Sequence, residues 1–238
     1  MFVTSLKQRR RRPEIMDQAD LDEAKHVQAL RGLERINRWT SSVRLLWPAI
    51  RAAAQRVAPR PLRVLDVATG GGDTPIRLWQ RAKQAGIALD LSGCDRSETA
   101  LAHARQAALA RGASIQFFPC DILAGLLPDS YDVVMCSLFM HHLDEDEVVR
   151  ALRTMAQASR QLLLVHDLRR CVTGWWLAYL GTRLLSRSPI VHFDGPVSVE
   201  GAYTDGEFAE LARHAGLHGA RVTRHWPCRF LLTWALEA

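Results

Sequence analysis

The sequence predicts an α/β fold, a parallel sheet buried between helices and closed at its end by an antiparallel hairpin. From residue 62 onward, short runs that are apolar on both faces alternate with helical stretches, as βαβ units do. Successive runs end in acids or glycines, where strands of such a sheet deliver a ligand site. The last two runs, 220–226 and 229–236, are separated only by Pro227 and Cys228; no crossover helix fits, so they pair antiparallel. A length of 238 residues suits one such domain with an appendage, and 48% hydrophobic with 24% charged residues excludes a disordered or collagen-like chain.

The elements follow in chain order. Lys7 and Arg9 to Arg12 carry +5 of the net +6, so residues 1–14 are expected to be a basic, flexible tail on a nearly neutral remainder. Residues 15–60 are expected to form an N-terminal helical cap. Leu21, Ala24, Val27, Leu30, Leu33 and Ile36 recur at helical spacing behind an Asp20–Glu23 capping box. Trp47–Pro48 would open a second helix and Pro59 to Pro61 would close it. The core, 61–238, starts with a strand over 62–67, a glycine turn and a helix from Pro75. Strands over 89–94, 115–119, 131–137 and 161–166 follow, with helices over 98–111 and 145–158 between them. An insertion over 168–203 carries an apolar helix from Val172 to Leu185 and then a loop, 190–195, above the strand tips. Thr204 and Glu207 form a capping box for a helix running to about His214.

Read together, the strand tips carry chemistry. The first ends Asp66-Val67-Ala68-Thr69-Gly70-Gly71-Gly72-Asp73, glycines that turn tightly before a helix whose first N–H groups are free. Asp95 ends the second strand, where a carboxylate accepts hydrogen bonds from a ribose diol. Cys120-Asp121-Ile122 ends the third, where a carboxylate meets an adenine amino group and an aliphatic side chain its ring. Pro75 occupies the third-glycine position of a nicotinamide fingerprint, and no Gly-Lys-Ser/Thr follows, which excludes a P-loop.

These residues resemble the class I S-adenosylmethionine (SAM)-dependent methyltransferases. Val64 to Asp73 is similar to that family's first motif, with Ala68 in place of its usual first glycine, and Asn37, Arg38, Arg44 and Trp47 give a looser likeness to the ubiquinone/menaquinone C-methyltransferases. The resemblance implies a Rossmann-like seven-stranded sheet, five parallel strands plus the C-terminal antiparallel hairpin. It implies SAM as cofactor, held by Asp66, Ala68, Gly70, Gly72, Asp95, Arg96, Asp121, Ile122 and Ser137, with Arg44 toward its carboxylate. Methyl transfer needs a base when the acceptor must lose a proton. His141 and His142 after strand four, and His166 in strand five, are the candidates, imidazole being suited to a phenolic proton near neutral pH. One of the His141–His142 pair can equally be structural, and His166–Asp167 can equally cap its strand. Asp167, Trp175 and His192 are expected to meet the substrate in an apolar pocket roofed by the insertion.

The expected acceptor is a small apolar or aromatic molecule (a phenol, a quinol-like ring or a polyketide) methylated at oxygen or at an activated carbon. A nucleic-acid methyltransferase is disfavoured, because Ser137-Leu138-Phe139-Met140 lacks the Asn/Asp-Pro-Pro-aromatic loop and the core lacks positive charge. A methyltransferase-fold protein that binds cofactor without turnover is the other alternative. Five scattered cysteines with no C-x-x-C pair argue against disulfide, zinc-ribbon and thioredoxin chemistry, and no metal is expected. No secretory signal is read at the start, and 171–185 is too short for a membrane span of ~20 residues. A cytoplasmic protein is expected, with peripheral membrane contact conceivable for a lipophilic acceptor and no oligomeric state implied.

Overall fold

The computed structural model describes residues 6–17, 22, 28–29, 32, 36 and 42–236. Seven strands form one sheet: β1 (Leu62–Val67), β2 (Leu89–Asp95), β3 (Ile115–Pro119), β4 (Tyr131–Ser137), β5 (Ser159–Leu168), β6 (Arg221–His225) and β7 (Arg229–Ala235). Their order is β3-β2-β1-β4-β5-β7-β6, with β1 to β5 parallel and β7 antiparallel to both its neighbours. The order reverses between β1 and β4, so a crevice opens beyond the carboxyl ends of those two strands. Five parallel strands plus the hairpin is the sheet the sequence predicts.

Strand alternation sorts the core into two layers. Leu62, Val64, Leu162, Leu164 and Leu231 face one side, against α1 (Ser42–Val57) and α2 (Asp73–Gln84). Leu65, Val67, Leu163, Val165, Phe230 and Leu232 face the other. There they meet α4 (Glu145–Ala158) and α7 (Asp205–His214), while α3 (Glu98–Ala110) flanks β2 and β3. α4 and α7 both start in capping boxes, Asp144 with Glu147 and Thr204 with Glu207.

Three expectations are corrected. Pro48 does not open a helix; it lies inside α1, whose buried face of Val43, Leu46, Trp47, Ile50, Ala53 and Ala54 holds the helix across it. An interior proline costs ~3 kcal/mol, which burial of that many apolar side chains offsets. α1, grouped with the cap on sequence, thus belongs to the core layer. The segment expected as a loop over 190–195 is helical: α5 (Val172–Leu185) is followed by α6 (Pro189–Gly201), with Ser188 before it and Pro189 in its first turn. Asp194 and Gly195 read as breakers, but Ile190, Val191, Val197 and Val199 bury one side of the helix.

The third correction is the basic terminus, whose described part is docked rather than solvated. Arg9 donates to the carbonyls of Gly201 (2.6 Å), His141 (3.1 Å) and Leu143 (2.6 Å), with its guanidinium 3.8 Å from the Tyr203 ring centroid. Arg11 donates to the His142 carbonyl at 2.7 Å, and Arg12 pairs with Glu200 at 2.9 Å. The Asp20–Glu23 capping box and most of the helical stripe behind it lie outside the described residues.

Candidate active site

A cavity of about 430 Å³ opens at the switch point, walled by the β1 and β4 tips, the N-terminal segment, α5, α6 and the start of β7. At its cofactor end the chain leaves β1 through Ala68, Gly70 and Gly72, all at positive φ (53°, 53° and 75°). Gly72 is required by space as well, since a Cβ there would lie 2.9 Å from the Ala104 Cβ. Asp66, 2% exposed, accepts a hydrogen bond from Thr69 Oγ1 at 2.8 Å through Oδ2, while its Oδ1 has no partner. Burial, with Asp73 and Asp95 nearby, pushes its carboxyl up to about 8. Ser137 Oγ, also on the cavity wall, is likewise buried and unpartnered. A free carboxyl oxygen and a free hydroxyl facing one space fit the ammonium of SAM's amino-acid end.

Of the expected cofactor residues, Asp66, Ala68, Gly70 and Ser137 line the cavity, while Gly72, the N-cap of α2, does not. Asp95 stands beside it, half-buried, its carboxylate taken by the backbone N–H of Gly70 (2.8 Å) and of Ser97 (2.9 Å). Arg96 and Asp121 are exposed on the open edge past β2 and β3, where Asp121 accepts from the Leu123 N–H at 2.9 Å. Two of the set are not brought to the site. Ile122 is buried among core side chains beside Val67 and Cys94, and Arg44 is on the exposed face of α1 and does not line the cavity.

At the other end His141, 5% exposed, faces Asp167 across β4 and β5. Its Nδ1 lies 2.7 Å from Asp167 Oδ1, and its backbone N–H donates to Oδ2 at 3.2 Å. A buried carboxylate against Nδ1 fixes the tautomer and leaves a lone pair on Nε2. Glu14 stands opposite, its Oε1 3.8 Å from His141 Nε2 and 3.9 Å from His142 Nδ1, and accepts from Ser198 Oγ at 2.6 Å. The docked arginines on one side, and Asp194 accepting from the Ile15 and Met16 N–H groups on the other, hold Glu14 there. Sequence reasoning missed Glu14; its signal was an acid placed directly behind the basic run.

Glu14, His141 and His142 could also be ligands to a metal, their atoms lying within 4.8 Å of one another. A zinc shell built on bonds of about 2.0–2.1 Å has ligand edges near about 3.3 Å, closer than these groups stand.

Four expected residues are corrected. His166 is fully buried with neither ring nitrogen partnered, and burial beside Arg229 lowers it to about 3. It does not line the cavity, because neighbours on a strand face opposite ways: Asp167 points to His141 and His166 to the other layer, across from Leu231. Asp167 meets no substrate in this arrangement; its oxygens serve His141 and the Leu168 N–H. Trp175 donates to Glu200 at 3.1 Å and stacks on Tyr179, and His192 donates to the Ser186 carbonyl at 2.7 Å. Instead, α5 turns Gly174, Leu177, Ala178, Gly181, Thr182 and Leu185 to the cavity.

Residues 64–161 match the family described as "Methyltransferase domain". A demethylmenaquinone methyltransferase of Deinococcus radiodurans is 39% identical over 116 residues, 48% of this chain and 46% of that protein. A ubiquinone biosynthesis O-methyltransferase of Bordetella parapertussis is 33% identical over 162 residues, 65% of this chain and 61% of that protein. The chain thus spans about half the length of the curated relatives it matches. Among solved structures, an O-methyltransferase family 2 protein from Planctomyces limnophilus in complex with apigenin superposes with TM-score 0.62 at 16% identity, covering 91% of this chain and 63% of that one. Magnesium protoporphyrin IX methyltransferase from Synechocystis with bound SAH gives 0.56 at 16% identity, covering 94% of this chain and 91% of that one. The fold is shared with these solved methyltransferases, residues 64–161 are similar to a methyltransferase domain, and the sequence relatives include quinone-biosynthesis enzymes.

Proposed function

We propose that this protein methylates a small, largely apolar aromatic acceptor, at a ring hydroxyl or at the carbon such a hydroxyl activates. One observation carries the reading: His141, its Nδ1 held by Asp167, lines the cavity whose other end fits SAM. SAM, when bound, supplies an electrophilic methyl group that leaves its bonding pair on sulfur. The protein's own part is to free the acceptor for attack. His141 Nε2 takes the phenolic proton, Asp167 stabilises the resulting imidazolium, and the O–H bonding pair stays on the acceptor oxygen. Both O- and C-methylation need that step. The named activities of the sequence relatives, on quinone precursors, agree with it. Nucleic acid does not: Arg9, Arg11 and Arg12 are engaged by the protein's own carbonyls and acids.

The insertion supports a lipophilic acceptor. α5 walls the cavity with one face and exposes Trp176 (50%), Leu180 (52%) and Leu184 (83%) on the other, with Arg183 and Arg187 exposed beside them. No helix among the described residues is long and apolar enough to cross a membrane. An apolar stripe edged by arginines fits instead the surface of an anionic bilayer. Vesicles containing phosphatidylglycerol are expected to sediment the protein where neutral ones do not; equal behaviour with both refutes the contact.

The central test is calorimetric titration with SAM followed by turnover on a panel of phenols and quinols. SAM binding with methylated product is the expected result. Binding without turnover on any acceptor favours the cofactor-binding alternative, and no SAM binding ends the proposal.

A further inference from the structure

Arg229, the first residue of β7, is an arginine without a counterpart. It is 8% exposed and lines the cavity, and its side chain makes no hydrogen bond or ion pair with any of the described residues. Its Nε is sealed from solvent with no acceptor. Because β7 runs antiparallel, its first residue sits at the same edge as the strand tips, opposite Leu168 of β5 and His225 of β6. Cys228, at φ 48°, turns the chain into that position. α5 closes over it: a Cβ on Gly174 would lie 3.1 Å from the Cys228 Cβ.

The charges around it do not neutralise it. Asp167 is the acid that attracts it, but both its oxygens already serve His141 and the Leu168 N–H. His166 is neutral and buried. Arg169 is a second cation, 3.9 Å from Asp205, which pairs with Arg224. Burial lowers the Arg229 guanidinium to about 10, so it remains charged at neutral pH. A buried, unpaired guanidinium is costly, and its planar fork of donors matches a carboxylate.

We infer that Arg229 is an anion subsite for the acceptor, so that the acceptor carries a carboxylate as well as the hydroxyl handled by His141. This rests on the methyl-transfer reading only in calling the bound molecule an acceptor. The cofactor's own carboxylate does not reach it. β1, where Asp66 fits the cofactor ammonium, is three strand spacings from β7, about 14 Å at ~4.8 Å each. In an amino acid the carboxylate and the ammonium are attached to the same carbon, so the carboxylate oxygens are only three bonds from the nitrogen, far short of that span.

The test uses full-length protein saturated with S-adenosylhomocysteine and a matched pair of ligands, 3,4-dihydroxybenzoate and catechol, which differ only by the carboxylate. Wild type is expected to bind the acid about 10- to 100-fold more tightly, the range for hydrogen bonds to a charged group. Arg229→Met is expected to bring the two affinities together while leaving S-adenosylhomocysteine affinity unchanged. Arg229→Gln, which keeps polar volume without charge, gives the same answer if the methionine variant folds poorly. Equal affinity of wild type for both ligands, or a preference that survives in the variants, overturns the subsite. Loss of S-adenosylhomocysteine affinity in both variants overturns it too, by assigning Arg229 to the cofactor. Turnover of catechol with no preference for the acid would sink the subsite and leave the methyltransferase reading standing.

Discussion

Cofactor binding should expel a proton from Asp66. With its carboxyl pushed up to about 8 by burial, Asp66 in the free protein at pH 7 is about 0.9 protonated. An ammonium brought against the unpartnered Oδ1 favours the ionised form, and an opposite charge at ~4–6 Å lowers a carboxyl by about 1–3 units. A shift toward the upper end of that range releases nearly the whole proton, about 0.9 per site at pH 7. Below pH 7 the cofactor's own amino group stays protonated, so the linkage has one sign. Affinity should rise with pH, by about tenfold between pH 6 and pH 7, since each unit below the free carboxyl's midpoint costs about 1.4 kcal/mol. The assay is titration of S-adenosylhomocysteine by calorimetry in phosphate and in Tris, whose ionisation enthalpies differ. The slope of observed enthalpy against buffer enthalpy counts the protons. Asp66→Asn should bring that slope to zero. Wild-type heats that do not depend on buffer, or proton uptake, would refute the placement of the ammonium at Asp66.

Asp167→Asn should lower kcat by about 10²–10⁴ with acceptor KM and cofactor affinity little changed, because an amide no longer holds the His141 tautomer that frees Nε2. An unaltered kcat, or an unaltered kcat–pH profile, would remove the His141–Asp167 pair from the mechanism. His166, lowered to about 3 against ~6.5 unfolded, binds its proton later in the folded state, so stability falls as pH drops through that window. By pH 5 the loss from His166 is about 2 kcal/mol, and His166→Leu should narrow the difference in urea midpoints between pH 8 and pH 5. A variant as acid-labile as wild type would contradict this. Ala68→Gly should stabilise the fold by about 1 kcal/mol, or roughly 2–4 °C in Tm, by relieving a left-handed alanine. A lower Tm would show that Ala68 is not strained.

The sheet was legible because its signals are local. The runs 62–67, 115–119 and 131–137 are apolar on both faces, and the Thr204–Glu207 box marks the start of α7. The glycine turn and the acids behind β2 and β3 stood at strand ends, which is where the fold places them. Contacts that join distant segments were not legible. Nothing near Glu14 in sequence points to His141, because what brings them together is Arg9 seeking carbonyls more than a hundred residues away. α6 was hidden by Asp194 and Gly195, whose side chain and lack of one serve the N-terminal segment and the close packing on Thr182. His166 and Asp167 were read as one feature, though a strand turns adjacent side chains to opposite layers.

The irregularities of this chain locate the site without reference to motif or relative. Three non-glycine residues among those described hold a left-handed backbone, Ala68, Leu138 and Cys228, and all three line the cavity. Each is a conformation that sterics disfavour by ~1–2 kcal/mol. Six described residues bury a polar side-chain atom without a partner, and three of them, Asp66, Ser137 and Arg229, line the same cavity. A fold selected for stability alone would have glycine at those turns and apolar side chains at those positions. The two sets also divide the cavity by charge. A carboxyl and a hydroxyl wait at the β1–β4 end, and a guanidinium waits at β7. Their unmet needs are opposite in sign, so a single small ion cannot satisfy both. Two ligand groups, one cationic and one anionic, held on either side of His141, do.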